Sequence, residues 1–167
     1  MVGREIELDP CEVLISEDPD QTIKANLRIC TAVSFNVKGT GGALIHVATI
    51  SPMGNSLMKI KTFSRSLNSG SVHQFPGLSA NEMIKAVVLR LRKVHKVKSN
   101  QISAHLIMAP KAMPLTPDFL ENAIKRAGIS DITNHYSVTE VKFNPVSGVL
   151  QKKVKSTQQG PFMLPDF

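Results

Sequence analysis

Cys30 and His46 are the residues of this chain whose types and spacing suit nucleophilic chemistry. They lie 16 residues apart, on two segments that the glycine-rich turn Lys38–Gly42 can lay side by side. A cysteine attacks as its thiolate, and a neighbouring imidazole can take that proton and later return it to a departing amine. Cys30 falls on the small and polar side of its segment with Arg28, Ala32 and Ser34, while Leu27, Ile29, Thr31, Val33 and Phe35 alternate to the other side. Taken alone, a cysteine in an apolar strand is more often a small buried hydrophobe than a nucleophile. A lone histidine is likewise more often a hydrogen-bonded structural residue than a base.

The other reactive residue types carry weaker patterns. His73, His95, His105 and His135 have no partner spacing; His105 reads as a satisfied core residue and His95 as a solvated residue ending a basic helix. Cys11 reads as a strand residue among acids, able to pair with Cys30 only under oxidation. Two cysteines make no disulfide framework, and no CxxC or HExxH spacing occurs, so no metal site is expected. Neither GxGxxG nor GxxxxGK[ST] is present, so no nucleotide cofactor of those types is expected.

Charge is unevenly spread. The net charge is +7, yet residues 1–20 hold seven acids and one base, leaving +13 on residues 21–167. A basic body invites a nucleic-acid reading through Lys85–Lys98 and Lys152–Lys155. Seven Phe, one Tyr and no Trp leave little for base stacking, so nucleic acid is disfavoured and an acidic protein partner fits the basic body better. The longest uncharged stretch, Gly39–Met58, carries four Gly and a Pro, so no membrane insertion is expected. No secretory leader is visible in MVGREIELDP. The expectation is a cytoplasmic protein with reduced thiols, with signal-less export as an effector left open; oligomeric state is not legible.

The elements that must position Cys30 and His46 follow from periodicity. Strands are expected at Glu5–Asp9, Glu12–Ser16, 27–35, Ala43–Ile50, Ile102–Ala109, Tyr136–Phe143 and Val149–Val154. Ser51–Gly77 reads as a long loop with a short strand near Leu57–Phe63. Ser79 and Glu82 form a capping box opening a helix with Met83, Ile84, Val87, Val88, Leu91 and Val94 on one stripe. Thr116 and Pro117 open a second helix, which Gly128 stops. The result is an α+β layered sandwich of mostly antiparallel or mixed sheet with two main flanking helices, one domain over residues 1–155 and a loose tail over 156–167.

The segments Ile15–Asp20, Cys30–Val33, Gly41-Gly42 with His46, and Val141–Val149 come in an order and spacing that resembles the chemoreceptor glutamine deamidase family, CheD. The resemblance spans about residues 12–155 and implies a fold shared with bacterial toxins that deamidate host glutamines. It implies a cysteine-dependent protein-glutamine deamidase of bacterial chemotaxis. Cys30 would be the nucleophile and His46 the base and acid. Thr22, the nearest upstream threonine, would be the third residue once a bulge brings it into register; otherwise a backbone carbonyl would orient the imidazole. The partners implied are a glutamine-bearing protein substrate and a regulatory protein. Arg28-Ile29 stands where that family has Gly-Ser, which keeps a second reading open: a non-catalytic binding module of the same fold.

Overall fold

A computed structural model describes residues 4–47, 57–74, 79–110 and 116–155. The chain builds two sheets. The smaller has the order β1-β3-β9-β10, from Arg4–Leu8, Gln21–Asn26, Val138–Phe143 and Leu150–Val154. The larger has the order β6-β2-β5-β4-β7-β8, from Val72–Gln74, Glu12–Ser16, Gly41–Val47, Thr31–Val37, Ile102–Met108 and Asp131–His135. The β1–β3 and β7–β8 pairings are parallel and the rest antiparallel. Helices α1 (Leu57–Ser66), α2 (Ala80–His95) and α3 (Thr116–Arg126) cover one face of the larger sheet. The architecture is the expected layered α+β sandwich, with one helix more than expected.

Alternation along β4 and β5 explains why there are two cores. Val33, Phe35, Ala43 and Ile45 turn towards the helices, where Met83, Ile84, Val87, Leu91, Leu120 and Ile124 meet them. Ala32 and Leu44 turn the other way, towards Ile23, Ala25, Val141 and Phe143 of the smaller sheet. Both strands are buried throughout, which is why they read as nearly continuous apolar runs. The capping box forms as expected: Ser79 Oγ accepts from the Glu82 N–H at 3.1 Å, and Glu82 Oε1 accepts from the Ser79 N–H at 2.9 Å.

Three expected elements differ. Leu57–Phe63 is the start of α1, not a strand; buried Ile60 and Ser64 share a helical face, and buried Leu67 continues it past the helix end. The run 27–35 is not one strand: β3 ends at Asn26 in the smaller sheet and β4 begins at Thr31 in the larger. The expected face is split by the break: Leu27 joins the inter-sheet core, Ile29 is exposed, and Val33 and Phe35 pack against the helices. The expected strand Tyr136–Phe143 likewise starts at Val138, since the chain leaves β8 through Tyr136 and Ser137, the latter in the left-handed region with φ 57°. The expected tail over 156–167 and the end of the strand expected to reach Ile50 lie outside the described residues.

Polar side chains tie the smaller sheet to the larger. Asn36 on β4 is buried, and its Nδ2 donates to the carbonyls of Pro145 at 2.7 Å and Val146 at 3.2 Å in the β9–β10 turn. Gly42 beside it has no room for a side chain, because a Cβ there would lie 2.7 Å from the Pro145 carbonyl oxygen. Along the β8 edge, His105 Nδ1 lies 2.8 Å from His135 Nε2, and His135 Nδ1 lies 2.9 Å from Lys152 Nζ on β10. An ammonium only donates, so His135 carries its proton on Nε2 and passes it as a donor to His105. The two histidines without sequence spacing are therefore partners, brought together by the parallel β7–β8 pairing. His95 also departs from expectation: its ring is largely covered, 3.5 Å from Glu17, and packs where a Cβ on Gly41 would fall.

Two outcomes test these ties. Asn36→Ala leaves buried carbonyls without a donor, so the urea midpoint should drop by an amount corresponding to about 1–3 kcal/mol. Burial, with Lys152 and His105 adding to it, pushes His135 down to about 4. Burial also lowers His105 and His46. An unfolded histidine takes up its proton near pH ~6.5, so as pH falls the unfolded chain binds protons first and gains. Stability should therefore decline as pH falls from about 6.5 towards about 4. Urea midpoints compared across that window should change less in His135→Gln, and an equal loss in that variant would contradict the assignment.

Candidate functional site

His46 sits on β5 with Glu12 of β2 directly opposite on one side and Ala32 of β4 on the other. Its side chain points into the inter-sheet core at the end nearest β1, and the residue is only 2% exposed. Nδ1 lies 2.9 Å from the Leu8 carbonyl oxygen at the end of β1. A carbonyl only accepts, so Nδ1 carries the hydrogen and the neutral ring presents Nε2 as a bare lone pair. Nε2 is buried and has no hydrogen-bond partner among the described residues. Burial pushes the ring's pKa down; the Leu8 carbonyl and the charges of Asp9, Glu12 and Glu7 oppose that shift. At neutral pH the ring is a neutral base already in the correct tautomer.

Cys30 ends the bend between β3 and β4. It is half-buried and packs at the edge of the inter-sheet core that contains Ala32 and Leu44. Ala32 pairs with His46 across the β4–β5 ladder, and Cys30 stands just before the first ladder residue, Thr31. Burial raises the thiol pKa, the backbone of Ile29 pulls it down and the nearby Cys11 raises it further. Both groups are thus uncharged at rest, a protonated thiol and a neutral imidazole.

Cys11 is a turn residue, not a strand residue. It closes the short β1–β2 connection in the left-handed region with φ 67°, is exposed, and donates its N–H to the His46 carbonyl at 2.8 Å. The sequence signal that could have found this was Asp9-Pro10, a turn-forming pair immediately before it.

Thr22 is elsewhere. Gln21, Ile23 and Ala25 of β3 are buried and Thr22 and Lys24 alternate to the outer side of the smaller sheet. There Thr22 lines a shallow pocket of about 290 Å³ with Lys142, Asn144, Ser147, Val149 and Gln151. The inter-sheet core separates it from His46, and no bulge interrupts the β3 pairing register. The atom that orients His46 is the Leu8 carbonyl oxygen. The alternative of a backbone carbonyl is the one that forms; which carbonyl it is has no sequence signature. Among the described residues no three His, Cys, Asp or Glu side chains gather into a set able to hold a metal ion, and no helix is long and apolar enough to cross a membrane.

No family model matches the sequence, and no curated protein matches it. Two similar solved structures are the Bacillus licheniformis hypothetical protein YfiH and the Neisseria meningitidis protein NMB0706, the latter described under the family model DUF152. YfiH is 11% identical with a TM-score of 0.45, the match covering 75% of this chain and 51% of that one. NMB0706 is 12% identical with a TM-score of 0.43, the match covering 76% of this chain and 54% of that one. This chain therefore spans about half the length of each. The expected membership of the chemoreceptor deamidase family is overturned: no family model matches the sequence, and neither similar structure is described under that family. The glutamine specificity and the chemotaxis setting rested on that resemblance and fall with it as family inferences.

Proposed function

We propose that this chain is a thiol-dependent hydrolase of acyl compounds, with Cys30 as nucleophile and His46 as base and acid. The observation that carries the reading is the buried His46 ring, whose Nδ1–H is held by the Leu8 carbonyl and whose Nε2 has no partner among the described residues. A buried ring nitrogen with an unused lone pair costs free energy in a purely structural role. It is what a general base requires.

The chemistry follows from those atoms. His46 Nε2 takes the proton of Cys30 Sγ while the sulfur attacks the substrate's carbonyl carbon. The tetrahedral adduct collapses as the imidazolium returns the proton to the leaving amine or alkoxide. Water, deprotonated by the same Nε2, then hydrolyses the thioester and frees the thiol. The Leu8 carbonyl keeps the ring in one tautomer and gains strength when the ring is charged. Asp9, Glu12 and Glu7 favour the imidazolium that forms during the reaction. Side-chain carboxamide hydrolysis, including that of a protein glutamine, is one member of this class and is retained only as a substrate to be assayed.

A second reading, a non-catalytic binding module, is supported by the raised Cys30 pKa and by Ile29 beside it, which is 60% exposed. One set of measurements separates the two. Activated esters, thioesters and a glutamine-rich protein are assayed for acid or ammonia release. Cys30→Ser should bring release to background, and His46→Ala should lower it about 10²–10⁴-fold. Thr22→Val, on the outer face, should leave it unchanged. No release from any acyl probe, together with a Cys30 inert to iodoacetamide whether or not His46 is present, would leave the binding module.

A further inference from the structure

Strand β10 ends the smaller sheet. Its partner is β9, and among the described residues no strand lies on its other side. The bonds just beyond the ladder run to the β9 side too: the Lys155 N–H donates to the Ser137 carbonyl at 2.8 Å, and Thr139 Oγ1 donates to the Lys153 carbonyl at 3.2 Å. Such an edge presents a row of unpaired N–H and C=O groups, and Gln151–Val154 are exposed along it. The edge is also basic. Residues 138–155, the β9–β10 hairpin, hold Lys142, Lys152, Lys153 and Lys155 against the single acid Glu140. Glu140 already faces Lys24 and Lys153, each at 3.6 Å. Two shallow pockets, of about 290 and 180 Å³, lie along this hairpin; they share Lys142 and Gln151, and the second is completed by Glu140, Lys152 and Lys153.

We propose that β10 is the docking edge for an extended acidic segment of another protein, which adds to the smaller sheet as a further strand. Strand addition supplies main-chain hydrogen bonds along the edge, and pockets beside it take alternate side chains. The lysines select the occupant. Two copies of β10 brought together would set Lys152 and Lys153 against lysines, and like charges directly opposite are unfavourable. The sheet's other edge, β1, carries Glu5 and Glu7, but these face Lys142 and Lys24 of their own sheet, so a second copy offers no free acidic strand. A strand that alternates acids with β-branched residues meets the lysines and, at either end of the edge, the exposed Val149 and Val154. The net charge of +7 draws such a partner towards the molecule.

The test titrates the full chain with a capped peptide alternating Thr and Glu and follows amide hydrogen exchange. Two control peptides accompany it: one with Lys in place of Glu, and one N-methylated at every second amide along one edge, which keeps the charge and removes the donors. The acidic peptide should slow exchange in β10 and leave β1 unchanged, and the Lys peptide should do neither. N-methylation should weaken binding roughly tenfold or more, because main-chain pairing carries the affinity. The double variant Lys153→Gln, Lys155→Gln should weaken it by roughly as much at low salt; Lys152 is left in place because it holds His135. No protection of β10 by the acidic peptide overturns the proposal. So does equal binding of the N-methylated peptide, which would reduce the contact to charge alone. Self-association of the chain that protects β10 and excludes the peptide overturns it in favour of a second copy.

Discussion

The hydrogen bond from His46 to the Leu8 carbonyl joins the larger sheet to the edge strand of the smaller one. Apolar contact alone would let two such sheets slide, since hydrophobic burial has no preferred direction. Polar contacts at the margins prevent that. His46 reaches β1, the chain from His105 through His135 reaches Lys152 on β10, and Asn36 reaches the β9–β10 turn. Three margins of the smaller sheet are thereby pinned to the larger. Moving any one of them changes the geometry at the others, because the Leu, Ile and Phe side chains between them are close-packed.

The same contact that closes the sandwich also prepares the proposed site. A buried imidazole is held neutral, one nitrogen is spent on the backbone, and the other is left over. The acids around it sit close enough to favour charge on the ring without forming a hydrogen bond to it. Structure and chemistry are thus supplied by opposite edges of one ring. The thiol is different in kind: burial holds it protonated. A nucleophile of that sort works only with a base within reach. Under the proposed hydrolase reading, Cys30 therefore depends on His46 to take its proton.

Much of the fold was legible. The capping box at Ser79, the apolar stripe of α2, the β4–β5 hairpin and the alternation that puts Cys30 and Ala32 on one side all follow from local periodicity and turn chemistry. What failed did so where the chain changes sheet. The strand read at 27–35 begins only at Thr31, and the one read at Tyr136–Phe143 only at Val138, because the chain crosses between the sheets just before each. The polar strand Asp131–His135 has a single apolar residue, Ile132, and only pairing with β7 makes it a strand. Leu57–Phe63 reads as a short strand because its apolar positions are few, and packing against α2 supplies the helical face that periodicity did not.

By itself the sequence determined that β4 and β5 would pair as a hairpin across a glycine turn, with His46 on the face shared by Ala32. It also determined that the N-terminal segment would be acidic. Only the tertiary structure decided which acids face a basic side chain, because those partners come from β1, β3, β9 and α2. It also decided that a main-chain oxygen, not Thr22, orients the ring. Side-chain types are written in a sequence; which backbone carbonyl arrives at which nitrogen depends on how two sheets are stacked.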